Sequence, residues 1–269
     1  MRAKDIVVRP ISGAHANRII KTLHYSGKVA PNSQVHFGVF IGDKCGGAMQ
    51  FGPSLDRRRM LGLVRGTKLR ECIELNRMAF NDWLPRNSES RAISVSLRLL
   101  RRNYPYLKWV ISFADATQCG DGTIYRACGF VLTAIKPSKN LARLPSGEVV
   151  HKMTLETTPT ARRPELGGRT YFDVTGGRFR FSAYIKSAGA TVLPGFQLRY
   201  VYFLRPECRA LLTVPEIPYS RIAEVGASMY RGIPRGKHRP DDAPGDQPGE
   251  GGSNPTAALH GHRADDGKR

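Results

Sequence analysis

SFADATQCGDGTIYRACGF (Ser112–Phe130) changes character twice. With Lys108–Ile111 before it, it begins as the apolar run KWVISFAD, which ends on Asp115. The loop QCGDG follows, then a short helical stretch, TIYRAC, stopped by Gly129 before the β-rich run FVLTAI. A strand as apolar as WVISFA is expected to be covered on both faces. An acid at its carboxyl end, opening into a glycine-containing loop, stands where open sheets hold their ligands.

Working backward, SRAISVSLRLLRRN spaces Ile93, Leu97 and Leu100 along one helical stripe. Before it, ECIELNRMAF (Glu71–Phe80) reads as a strand and PRNSES as a loop. Together with KWVISFAD these make a strand, helix, parallel strand unit. Further upstream, VHFGVFI, the turn IGDK and GGAMQFG predict a hairpin. Ser12 starts a helix with Ile19, Ile20 and Leu23 on one face, and Gly27 can supply its left-handed stop. His24 and Tyr25 then sit at a helix C-terminus.

Downstream, VVHKMTLE and LRYVYFL read as strands, and the residues between Thr157 and Gly195 as irregular or partly helical. The expected organisation is a core over 1–156, an insertion or extension over 157–237 completing the same domain, and a disordered tail over 238–269. That tail is rich in Gly, Pro and Asp.

The 269 residues carry a formal net charge of +20, which points to a polyanionic partner, nucleic acid first. The tail holds four Lys or Arg and six Asp or Glu of the chain's 42 and 22, leaving 38 and 16 in the rest. The positive charge therefore belongs to the folded part. No run of ~20 apolar residues is present, and MRAKDIVVRP lacks the apolar core of a signal peptide, so the expectation is a cytoplasmic protein without a membrane partner. Five cysteines without a CxxC pair read as reduced, buried thiols.

The element order resembles that of the GNAT acyltransferases, an α/β fold with a mixed sheet, and IYRACGF resembles their helix-to-strand signature. In that fold two parallel strands splay apart and an acetyl-CoA arm lies in the gap. The following helix holds the pyrophosphate on its free N–H groups. Here that helix begins at Asn87, Ser88, Ser90 and Arg91, without the glycines usual at this position. Ser88 or Ser90 also reads as a plain N-cap.

HYSG (His24–Gly27), QFGPS (Gln50–Ser54), ELNRMAF (Glu74–Phe80), PRNSESRAI (Pro85–Ile93) and SFADATQCGDGTIYRACGF together resemble the Mom family of phage DNA-modification proteins. The resemblance implies addition of a carbamoylmethyl group to the exocyclic amine of adenine in double-stranded DNA, inside an infected or lysogenic bacterium. It implies acetyl-CoA and iron as participants, and His24, Tyr25, Arg77, Asp115 and Tyr125 as the residues concerned.

Each has a plainer reading too. Asp115 can accept the amine's proton or simply cap the next loop. Tyr125 is either an acid or a core tyrosine, and His24 with Tyr25 either chemistry or packing. His24 and Asp115 suit iron by residue type, with His36 and Asp121 as further candidates. Arg77 shares the parity of Ile73 and Leu75 in a regular strand, and a bulge would turn it. Arg57, Arg58, Arg59, Arg65, Lys68 and Arg70 form a loop that tracks phosphates or is merely solvated. Other readings are an acetyltransferase of a protein or small amine with Glu74 as its base, and a DNA-binding protein without catalysis.

Overall fold

In the computed structural model, residues 2–54, 56–230 and 233–234 are described. The expected tail, 238–269, lies outside them. The elements run β1 (Val7–Pro10), α1 (Gly13–Leu23), β2 (Val35–Ile41), β3 (Lys44–Gly52), α2 (Arg57–Leu61), β4 (Cys72–Phe80), α3 (Ser88–Asn103) and β5 (Trp109–Asp115). Then follow α4 (Ala116–Cys119), α5 (Thr123–Ala127), β6 (Val131–Ser138), β7 (Leu141–Arg143), β8 (Val149–His151) and α6 (Lys152–Thr157). Next come α7 (Tyr171–Thr175), α8 (Phe181–Ser187), β9 (Thr191–Val192), β10 (Gly195–Phe203) and α9 (Ser220–Glu224).

Seven strands form one sheet in the order β1-β2-β3-β4-β5-β10-β6. The pair β4–β5 is parallel and the other pairs are antiparallel, so the sheet is mixed, as the element order predicts. α3 supplies the crossover between the two parallel strands. It lays Ala92, Ile93, Leu97 and Leu100 on Leu75, Val110, Ala114 and Leu198. Each large side chain buried there stabilises the fold by about 1.5–3 kcal/mol. The opposite face of β5 puts Trp109 and Ile111 against Met60, Leu63 and Val201. The strand is thus covered on both sides, as its apolar run predicts.

α1 begins where expected: the Ser12 hydroxyl accepts the His15 N–H at 3.2 Å. Its apolar face packs Ala16 and Ile20 on Ala48 and Ala79.

The stretch VVHKMTLE is a correction. Only Val149–His151 is strand, and the remainder turns into α6 because the His151 ring accepts the Met153 N–H at 3.0 Å as an N-cap. Several elements went unanticipated, β1 and α2 among them. β1 is a short, mostly exposed edge strand, and α2 lies inside the basic segment.

Residues 139–194 leave the sheet after β6 and return to it as β10, which lies between β5 and β6. They carry a small core of their own, with Leu144, Leu155, Leu166, Tyr171 and Tyr184 buried together, and a three-stranded sheet in the order β8-β7-β9.

Candidate active site

The parallel pairing of β4 with β5 stops after Glu74 and Ile111. On its other side β4 slips register against β3: Gln50 faces Arg77 and Phe51 faces Leu75, leaving Asn76 as the extra residue of a bulge. The bulge inverts the parity of the strand. Leu75 keeps to the α3 face with Phe51, whereas Arg77 pairs with Gln50, whose amide donates to Asn17 of α1 at 2.8 Å. Arg77 is thereby turned to the α1 face. Past this point β4 and β5 diverge around a cavity of about 530 Å³ lined by His24, Tyr25, Arg77, Asp115 and Tyr125. All five residues implicated by the sequence line this one space.

His24 is the C-cap of α1. Its Nδ1 accepts the Ser26 N–H at 3.1 Å and lies 2.8 Å from the Ser26 hydroxyl. The neutral ring therefore carries its proton on Nε2. Burial, aided by the Arg77 charge, lowers its pKa to about 4, which keeps the imidazole neutral at physiological pH. The Tyr25 ring stacks on it at 4.3 Å and is 57% exposed. Arg77 donates from Nε to the Lys28 carbonyl at 3.2 Å and from Nη1 to the Asn76 carbonyl at 2.7 Å. It fastens the HYSGK loop to the bulge.

Asp115 closes β5 and serves as N-cap of α4, its Oδ1 accepting the Thr117 N–H at 3.0 Å. The capping role is real, and the half-buried carboxylate still lines the cavity. The Tyr125 ring packs against Phe130 and Tyr200 at 5.4 and 5.2 Å and belongs to the core as well as to the cavity wall. The Tyr200 hydroxyl donates to the Asp121 carbonyl and holds the loop between α4 and α5. Gly122 in that loop has φ +74°, and a Cβ there would lie 2.5 Å from the Tyr200 ring, so a side chain is excluded on both counts.

A neighbouring groove of about 340 Å³ at the start of α3 shares Phe80, Glu89, Thr123 and Ile124 with the cavity. The N-cap is Asn87, at φ +68° and without a side-chain cap bond. Asparagine adopts the left-handed conformation that glycine would otherwise supply. Ser88 is therefore the first helical residue; its hydroxyl is buried and has no hydrogen-bond partner among the described residues. The Ser90 hydroxyl donates to the Asn87 carbonyl at 3.2 Å. Asn87, Ser88 and Ser90 line the groove, but Arg91 points outward and does not. An unpartnered hydroxyl and free helix-start N–H groups suit a phosphate, although Asp82 and Glu89 in the same groove oppose one. Burial first, then Asp82, raises the Glu89 pKa and weakens that opposition.

Iron does not fit the described residues. No group of three His, Cys, Asp or Glu is placed to hold a metal among them. A metal-bound histidine uses one nitrogen on the metal and donates from the other, whereas His24 Nδ1 accepts a backbone N–H. Asp121 is occupied by the Thr123 N–H and Arg126. His36 sits beside Gly13, away from the cavity.

The model of the Mom protein family matches residues 5–221. This chain belongs to the Mom family. The methylcarbamoylase Mom of Escherichia phage Mu is 44% identical to it over 129 residues, 48% of this chain and 53% of that protein. The chain thus spans about half the length of that curated relative. Among solved structures, the ribosomal-protein-S18-alanine N-acetyltransferase of Escherichia coli is 9% identical with TM-score 0.39, over 74% of this chain and 94% of that one. Arabidopsis thaliana NAA60 in complex with acetyl-CoA is 11% identical with TM-score 0.43, over 74% and 99%.

In this Mom-family chain the segment 139–194, inserted between β6 and β10, brings near the site a residue that the motifs did not reveal. His151 lies within electrostatic reach of Asp115, Lys28 and Arg77; burial lowers its pKa, Asp115 pulls it upward, and the two cations push it down again. The Lys28 ammonium bonds the Thr157 hydroxyl and reaches the Thr154 carbonyl at 3.4 Å, tying α6 to the HYSGK loop. The only hint of this in the sequence was a histidine inside VVHKMTLE, read as strand. Glu74 lies outside the main cavity, in a smaller one of about 290 Å³ with Phe113 and Arg199. Burial raises its pKa, against hydrogen bonds from Ser54 and Asn76 and the Arg77 charge. The basic segment exposes Arg57, Arg58, Arg65, Lys68 and Arg70; the side chain of Arg59 is outside the described residues. No helix among the described residues is long and apolar enough to cross a membrane.

Proposed function

We propose that this chain attaches a carbamoylmethyl group to the exocyclic amine of adenine in double-stranded DNA, with the base turned out of the duplex into the cavity between β4 and β5. The observation that carries the reading is that His24, Tyr25, Arg77, Asp115 and Tyr125 line one cavity in a chain of net charge +20. Its relative in phage Mu bears the name methylcarbamoylase.

The amine of adenine shares its lone pair with the ring and is a poor nucleophile. Asp115 serves as acceptor for the proton that the amine loses, its second oxygen being free of the Thr117 cap. His24, neutral and protonated on Nε2, serves as a donor to an acceptor atom of the base or the incoming group. Tyr25, exposed at the rim, offers its ring as a stacking face for the extruded base, and Tyr125 forms the wall on the far side. Membership of the family further supports action inside a bacterial cytoplasm that carries phage DNA.

The groove at Asn87, Ser88 and Ser90 suits acetyl-CoA as a carrier, which when bound would supply a two-carbon unit activated as a thioester. Simple acetyl transfer does not balance against the product. The new bond runs to the methyl-derived carbon, and an amide nitrogen has to arrive as well. His24 and Asp115 do not form a ligand set for iron among the described residues.

Mass spectrometry of nucleosides from DNA of cells expressing the chain tests the proposal. Deoxyadenosine is expected to gain a carbamoylmethyl group. An unchanged nucleoside profile with folded protein present would refute it.

A further inference from the structure

The insertion 139–194 carries a feature that the cavity does not use. Its aromatic residues Tyr171 and Tyr184 are buried in its own core, but Phe179 is 61% exposed. Five successive residues, Gly176 to Arg180, are all exposed. Gly176 and Gly177 have φ +63° and +71°, and the Arg180 N–H bonds the Arg178 carbonyl at 2.9 Å. That bond closes a three-residue turn with Phe179 at its centre. The base of the ring rests on Phe172 at 5.5 Å. A large apolar side chain is thus held at the tip of a turn, steadied from behind and flanked by two arginines. Among the described residues neither Arg178 nor Arg180 has an ion-pair partner.

The turn is linked to the site by short steps. Lys28, whose carbonyl accepts from the cavity-lining Arg77, joins α6 through Thr154 and Thr157. The Phe172 N–H bonds the Pro159 carbonyl just beyond α6 at 3.1 Å, and Phe172 carries Phe179. An apolar wedge between base steps, with arginines on the neighbouring phosphates, is how proteins unstack a duplex. Turning a base out of the helix also costs unstacking energy, which a wedge that opens the step supplies.

We infer that Phe179 is a wedge that enters the DNA stack beside the target adenine, with Arg178 and Arg180 holding the phosphates on either side. The inference rests on the proposed action on duplex DNA and names the element that opens it.

Fluorescence anisotropy with the full chain tests this, using a fluorescein-labelled intact duplex and the same duplex containing one abasic site. Unstacking costs less where the stack is already broken, so the unaltered chain is expected to bind the abasic probe about tenfold more tightly. Phe179→Ala should remove that preference, and Phe179→Trp should retain it. Arg178→Ala and Arg180→Ala should weaken binding to both probes alike and each lower the salt slope by about one.

A preference that survives Phe179→Ala overturns the inference, as does its absence in the unaltered chain. An equal loss on both probes with a lower melting temperature would assign the ring to packing alone and overturn it too. Because the readout is binding, a lack of modified nucleoside would strike the chemistry and leave this result standing.

Discussion

Replacing His24 by asparagine keeps an oxygen where Nδ1 accepts the Ser26 N–H and removes the titrating ring. In the folded chain burial and the Arg77 charge hold the His24 pKa at about 4, against 6.5 when free. That difference corresponds to about 3 kcal/mol, at ~1.4 kcal/mol per tenfold change in proton affinity. Above about pH 6.5 the ring is neutral in both states and contributes nothing. As the pH falls toward 4 the unfolded ring takes up a proton that the folded one refuses, so stability drops and the full cost is reached below about pH 4. Denaturant unfolding at a series of pH values is expected to show a steeper acid loss for the unaltered chain than for His24→Asn, the gap widening toward about 3 kcal/mol. His36 and His151 shift in the same direction and cancel in that difference. Nitrogen-detected NMR of the ring should show the Nε2–H tautomer, unchanged between about pH 8 and pH 5.5. A proton on Nδ1 would refute the assigned tautomer and the argument against His24 as a metal ligand, and a midpoint near the free value would refute the stability argument.

Three further substitutions separate chemistry from architecture. Asp115→Asn keeps an oxygen to cap Thr117, so its melting temperature should stay near that of the unaltered chain while the modified nucleoside disappears; Asp115→Ala should lose both the product and about 1 kcal/mol of cap. Gly122→Ala meets the Tyr200 ring at a positive φ and should destabilise by about 2–5 kcal/mol in denaturant unfolding, and a neutral result would contradict the closeness of that contact. His151→Asn should preserve the fold, since its side-chain oxygen can still accept the Met153 N–H, yet change the pH profile of product formation on its acid side. An unaltered profile would place His151 outside the reacting environment.

The sheet was legible because its central strands are nearly pure in type. WVISFA and the period of Ile93, Leu97 and Leu100 leave little choice of element, and the turn at Gly42 fixes the hairpin. The bulge at Asn76 has no such signal. An extra residue in a strand costs no particular side chain, so its position follows from the partner strand, and the parity of Arg77 could be posed only as a choice. The left-handed conformation of Asn87 escaped for a related reason: glycine is the residue usual at the start of such a helix, while asparagine can adopt the same backbone. VVHKMTLE failed because His151 acts as a cap. Residues that cap a helix interrupt a strand pattern without leaving a break in hydrophobicity. The contribution of His151 and Lys28 to the site was invisible for a different reason, since it depends on where an insertion between two adjacent strands folds back.

Lys28 joins three parts of the molecule that the chain keeps far apart. Its carbonyl receives Arg77 from the bulge of β4, its own residue continues the loop that positions His24, and its ammonium is held by the end of α6. Its pKa is lowered by burial and by Arg163, so the cost of keeping it charged there must be offset by those bonds. The end of α6, the strand bulge and the His24 loop are therefore anchored through the same residue. On the proposed function, the turn at Phe179 and the cavity on the sheet are then held in one register. If the proposed wedge and cavity act together, that common anchorage is what would bring a base leaving the duplex to Asp115.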